Sequence, residues 1–146
     1  MRITKENIWD EIKEKNNYLE VLKSDLVDTI KEFDRTPLHC LADEGVKEIL
    51  KHPSVDKVKD YSGWTPLHIL AQKGFKEVLS HPSVDKVKSS NKSDWTPLHL
   101  LAWSGNLTKE DLRKKYPWYK KEIKNIMKAV NEIVNTPDSI RFILED

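Results

Sequence analysis

The chain has 146 residues, 38% of them hydrophobic and 34% charged, with a formal net charge of +1. That length suffices for one domain with its own core, and the charge density excludes a membrane-spanning bundle and argues against a dedicated polyanion binder. A single cysteine, Cys40, excludes an internal disulfide framework and a cysteine-based zinc cluster. The opening Met1 to Glu6 has neither the apolar stretch nor the small-residue cleavage site of a secretory signal. The expectation is a cytoplasmic, monomeric, globular protein without cofactors or bound metal. Charge is unevenly spread: residues 1–50 carry 8 Lys+Arg and 12 Asp+Glu, residues 51–108 carry 8 and 5, and residues 109–146 carry 9 and 7. The first third is therefore the acidic end.

Residues 4–33 come first in chain order. Ile8, Trp9 and Ile12 recur at helical spacing and are expected to cover an inner face. The hexapeptide Tyr18 to Lys23 aligns with Phe75 to Ser80 further along, and Val27-Asp28 aligns with Val55-Asp56 and Val84-Asp85. Asn17 then falls where later copies have glycine, and asparagine is the next-best residue for a left-handed backbone. Residues 4–33 thus read as a degenerate first repeat acting as a cap. The alternative is one long helix over residues 17–33, whose leucines also keep a helical spacing.

Three full copies of a repeat follow, at 34–62, 63–93 and 94–115. Thr-Pro-Leu-His occurs at Thr36, Thr65 and Thr96, in steps of 29 and 31 residues, and each copy runs on through Leu-Ala to a glycine, Gly45, Gly74 and Gly105. The octapeptide His-Pro-Ser-Val-Asp-Lys-Val-Lys appears unchanged at His52 and at His81. Within one unit, Thr65 is placed to cap a helix and Pro66 suits its first position. Leu67, Leu70 and Ala71 share one face, and Gly74 ends the helix in the left-handed region. A second short helix is predicted over Phe75 to Ser80, burying Phe75, Val78 and Leu79, with Pro82 as its stop. An extended loop then leads to the next unit. Helices this short do not persist alone, so neighbours must supply their stability.

The last segment, 116–146, departs from the repeat. Thr108 and Asp111 have the spacing of a capping box, Pro117 is a break, and a helix is predicted from about Trp118 to Val134 with an apolar stripe from Ile123 to Val134. A last short helix begins at Thr136-Pro137. These read as a helical seal over the open end, with an apolar face that is also a candidate docking surface. Residues 109–128 hold 8 Lys+Arg against 3 Asp+Glu, with Tyr116, Trp118 and Tyr119 among the lysines. Basic and aromatic residues so interleaved offer phosphate contacts and base stacking.

The residues Asp60 to His68 resemble the turn-then-helix signature of the ankyrin-repeat family, and Lys76 to Leu79 resemble its second helix. The resemblance covers residues 34–105. It implies an all-α fold, an ankyrin-repeat solenoid of helix-turn-helix units with hairpin-like loops and helical caps at both ends. Two departures stand out. The steps of 29 and 31 fall short of the family's 33, and Leu41, Leu70 and Leu101 stand where the family generally has alanine. The larger leucines are expected to fill space left by a shortened second helix. The resemblance also implies that His39, His68 and His99 hydrogen-bond within and between the turns rather than serve catalysis or metal binding. No glycine-rich phosphate loop, His-Glu-x-x-His or Gly-x-Ser-x-Gly occurs, and the expectation is a protein that is not an enzyme.

By the same resemblance, the turn tips and the exposed ends of the first helices form a concave binding face for a protein partner, with no small-molecule substrate and no membrane. Carried over residue by residue, its variable positions include Phe33, Arg35, Asp43 and Glu44 in the first full unit. In the second they include Tyr61, Trp64, Gln72 and Lys73, and in the third Lys92, Trp95 and Trp103. Five of these are aromatic, at positions that need not be apolar for folding. They read either as an outward aromatic ladder that binds a partner or as rings lying across neighbouring turns that stiffen the stack. The competing function is binding of nucleic acid or another polyanion through residues 109–128.

Overall fold

The computed structural model describes residues 2–89 and 95–108, together with 110, 111 and 114. Among these residues the regular elements are all helical, and an isolated antiparallel bridge between Glu32 and Arg35 stands outside them. The α-helices are α1 (Ile8–Glu11), α2 (Tyr18–Lys23), α3 (Pro37–Asp43), α4 (Pro66–Gln72) and α5 (Pro97–Trp103). Between them lie 3₁₀ turns at Lys15–Asn17, Asp25–Asp28, Lys47–Lys51 and Lys76–Ser80. No helix among the described residues is long and apolar enough to cross a membrane.

The repeated tetrapeptide builds the same helix start three times. In α4, Thr65 is extended at φ −91°, ψ 165°, and its Oγ1 accepts the His68 N–H at 3.4 Å. The His68 Nδ1 in turn accepts the Thr65 N–H at 3.1 Å, closing a reciprocal box in which histidine replaces the usual glutamate. Pro66 occupies the first helical position, where a missing N–H costs nothing. At the other end, Gly74 at φ +88° donates to Ala71 C=O at 3.0 Å and Phe75 N–H to Leu70 C=O at 3.2 Å, the paired closure of a Schellman motif. Gly45 and Gly105 end α3 and α5 likewise, at φ +76° and +79°.

The predicted second helices form, but as 3₁₀ turns of five residues, Lys47–Lys51 and Lys76–Ser80. A left-handed glycine two residues before and a proline two residues after leave room for little more than one turn, where 3₁₀ closure is usual. Val78 is buried there as expected, whereas Phe75 and Leu79 are only half-buried against the core. Leu41, Leu70 and Leu101 are fully buried, as are the aligned valines Val27, Val55 and Val84.

The N-terminal segment breaks where a single long helix would have continued. Ser24 is extended at ψ 139° and its Oγ accepts the Leu26 N–H at 3.2 Å, so α2 ends at Lys23 and a separate 3₁₀ turn follows. Ile8 and Ile12 are buried and Trp9 half-buried, on the face expected. Asn17 is not left-handed: at φ −107°, ψ 3° it closes a 3₁₀ turn directly into α2, so nothing requires the backbone to reverse there.

Packing joins neighbours in sequence, most extensively α3 with α4 and α4 with α5. Polar bonds recur at each junction. Ser54 Oγ donates to Asp28 Oδ2 and Ser83 Oγ to Asp56 Oδ2, both at 2.6 Å. Leu67 N–H reaches Val55 C=O at 3.2 Å and Leu98 N–H reaches Val84 C=O at 2.9 Å. On the surface, Lys47 pairs with Glu77 at 3.0 Å and Lys76 with Asp111 at 3.0 Å. The Thr108–Asp111 capping box is formed, with reciprocal bonds of 3.0 and 3.1 Å. The helix predicted from Trp118 to Val134, the last short helix from Thr136 and most of the basic-aromatic segment 109–128 lie outside the described residues.

Candidate functional site

A buried histidine in each of two helices reaches the residue that ends the next turn tip. His39 Nε2 lies 2.9 Å from Trp64 C=O, and His68 Nε2 lies 2.9 Å from Trp95 C=O. Since a backbone N–H occupies Nδ1 and a carbonyl faces Nε2, the ring must be neutral with its proton on Nε2. Burial pushes all three histidines below their ordinary value, His68 and His99 to about 4. His39 and His68 bond both within their own helix cap and to the next unit, whereas His99 bonds to Thr96 in its own cap. Cys40 is half-buried on α3, and burial pushes its thiol up, the opposite direction from an activated nucleophile. Among the described residues no three His, Cys, Asp or Glu side chains gather closely enough to hold a metal ion.

Two tips are exposed on this frame. At the first, Phe33 and Asp34 both take positive φ, +54° and +63°, between the reciprocal backbone bonds Glu32 N–H to Arg35 C=O at 2.9 Å and Arg35 N–H to Glu32 C=O at 3.1 Å. Two central residues of positive φ define the type I′ hairpin, which normally takes Asn and Gly. A phenylalanine that is 88% exposed at such a site contributes nothing to packing. At the second tip, Asp60 Oδ1 accepts the Ser62 and Trp64 N–H groups at 2.9 and 3.0 Å, and Gly63 turns the chain at φ +77°. Tyr61 projects from this loop, 81% exposed.

Between the tips lies an open cleft of about 290 Å³. Arg35 and Asp43, which form an ion pair, line it together with Tyr61, Ser62, Trp64 and Gln72. Ile69 and Asp60 complete the lining. Trp64 stacks on His68 with ring centroids 6.2 Å apart and planes 19° from parallel, leaving the indole half-buried. Five of the residues expected at the binding face, Arg35, Asp43, Tyr61, Trp64 and Gln72, therefore line one cleft. Glu44 and Lys73 are exposed and follow directly on Asp43 and Gln72, the last residues of α3 and α4.

Trp95 departs from the outward ladder. It is 7% exposed, its ring stacked on His99 at 5.9 Å and edge-on to Trp103 at 6.5 Å, and its backbone N–H donates to Ser89 Oγ at 3.2 Å. Its Nε1 is buried with no partner among the described residues. Trp103 is 38% exposed at the end of α5, and Lys92 lies outside the described residues.

The reason Trp64 and Trp95 differ is a pairing the sequence contains but periodicity alone does not reveal. In each unit the residue before the capping threonine faces the one seven positions after that threonine. Arg35 meets Asp43 as an ion pair, Trp64 shares its cleft with Gln72, and Trp95 meets Trp103 ring to ring. A second tryptophan covers the first, and a glutamine does not. Asp60 and Ile69 were not among the predicted site residues. The Asp-Tyr-Ser-Gly turn was the available signal for the former, while the latter owes its place to a gap between units. A second open cleft, of about 520 Å³, lies among the 3₁₀ turns between Lys47, Leu50, Lys51, Glu77 and His81.

No protein-family model matches this chain, and no curated protein matches it.

Proposed function

We propose that the chain is an ankyrin-type solenoid that acts as a non-enzymatic protein-interaction module, an adaptor or inhibitor, through the face carrying the turn tips. The unit-to-unit bonds of His39 and His68, and of Ser54 and Ser83, recur at a 29-residue step, as stacked copies of one unit require. One observation carries the functional reading: Tyr61 and Phe33 are held out in solvent on rigid turns beside a cleft that both units build. Their backbone turns are closed by hydrogen bonds, and exposed aromatic side chains are favoured at the energetic centre of interfaces.

The test is affinity capture from native lysate with the full chain and with its Tyr61→Ala variant as bait, at low and raised ionic strength. A protein retained at raised salt by the parent and lost by the variant supports the reading. Retention by both removes this face from the interface. Capture of nucleic acid that disappears as salt rises assigns the activity to the basic segment instead.

A further inference from the structure

Resting on the reading just given, we propose that the cleft between the first two tips receives an arginine side chain presented by an extended peptide segment of the partner. The charges on its walls do not cancel. Arg35 pairs with Asp43 through Nη2, while its Nε is buried with no partner among the described residues, and Asp60 is left as the unbalanced charge of the lining. Asp60 uses one oxygen, Oδ1, to hold its own turn, and its Oδ2 accepts no hydrogen bond from the described residues. Exposed Glu32 and Glu44 add negative charge on the Arg35 side. Of the nearby lysines, Lys59 is turned to Lys88 C=O at 3.1 Å, and Lys73 follows Gln72 on the rim.

The apolar part of the cleft suits the same occupant. Trp64 has one ring face on His68 and also lines the cleft, and Tyr61 stands at its edge. A planar guanidinium stacks on such a ring while its N–H fork reaches a carboxylate, which a compact ammonium does less well. Gln72 and Ser62 supply neutral acceptors at the mouth for the remaining donors. An acidic segment would meet Asp60 and the flanking glutamates with like charge.

The probe is a short capped peptide of Gly-Leu-Arg-Leu-Gly, compared with the same peptide carrying citrulline, the neutral isostere, or glutamate at the centre. Amide and indole resonances of the labelled full chain are followed by NMR. Binding of the arginine peptide should shift Tyr61, Ser62, Gln72 and the Trp64 indole, with citrulline weaker by about tenfold, as loss of a charge-assisted bond implies. Asp60→Asn keeps the Oδ1 acceptor that the turn needs and removes only the charge, so it should abolish the preference for arginine while the circular dichroism spectrum is unchanged.

Equal binding of citrulline, stronger binding of the glutamate peptide, or an undiminished preference in Asp60→Asn overturns the proposal. So do concentration-dependent shifts of these resonances without peptide, which would give the cleft to a second copy. If the arginine peptide fails while Tyr61→Ala still loses a captured protein, this inference falls and the interaction reading survives. If Tyr61→Ala keeps its partner while arginine binding depends on Asp60, the reverse holds.

Discussion

Acidification should unfold this protein in a window set by its buried histidines, and His68 gives the magnitude. Its ring is completely buried, Nδ1 accepts the Thr65 N–H at 3.1 Å, and Nε2–H donates to Trp95 C=O at 2.9 Å. A proton can be added only at Nδ1, where it would displace the bond from the Thr65 N–H and meet Thr65 Oγ1 at 2.8 Å. Burial is the main cause of the depressed value, about 4 against 6.5 for the free side chain, and Trp95 C=O opposes it. Below pH 6.5 the unfolded chain binds a proton that the folded chain refuses. Stability is therefore complete above that value, falls as pH drops towards 4, and levels off below. Two and a half units correspond to on the order of 3 kcal/mol. His39 acts in the same direction. So does His99, also at about 4, though its partial exposure reduces its share. Against the usual stability of about 5–15 kcal/mol, the sum is large. Urea unfolding followed by circular dichroism at fixed ionic strength, from pH 7.5 down to 4.5, should show the midpoint falling through this range, and His68→Gln should flatten the slope. A midpoint constant to pH 4.5 refutes the argument. A fall confined to lower pH would instead point to carboxylates such as Glu77, held low by its own backbone N–H and by Lys47.

Three further outcomes follow from the packing. Leu70→Ala removes a wholly buried side chain of α4, the helix packed on both α3 and α5, and should cost about 2–5 kcal/mol in urea denaturation; a cost near zero would mean that leucine does not fill the space left by the short second turn. Trp95→Ala should cost about 3–5 kcal/mol, because the ring is buried between His99 and Trp103. The equivalent measurement on Tyr61→Ala should change stability by less than about 0.5 kcal/mol, and equal losses in the two variants would contradict their different burial.

Much of the local structure was legible in the chain because it rests on short-range chemistry. Threonine followed by proline starts each first helix, a left-handed glycine ends it, and the spacing of Leu67, Leu70 and Ala71 sets the buried face. The alignment of Val27 with Val55 and Val84 was also visible in the sequence, and the structure shows all three buried. These features need only the preferences of a few neighbouring residues. Asn17 marks the limit: asparagine permits a left-handed backbone but does not demand one, and the turn into α2 takes an ordinary conformation.

The candidate site was legible residue by residue but not as a place. Arg35, Asp43, Tyr61, Trp64 and Gln72 were identified individually, yet only the stacking of one unit on the next makes a cleft of them. Trp64 and Trp95 carry the same following tetrapeptide, and no local rule distinguishes them. Their difference arises seven residues beyond the cap, where Gln72 leaves one ring half-exposed and Trp103 covers the other. Burial is a property of what lies opposite in space, so it is decided only when the chain has folded back on itself.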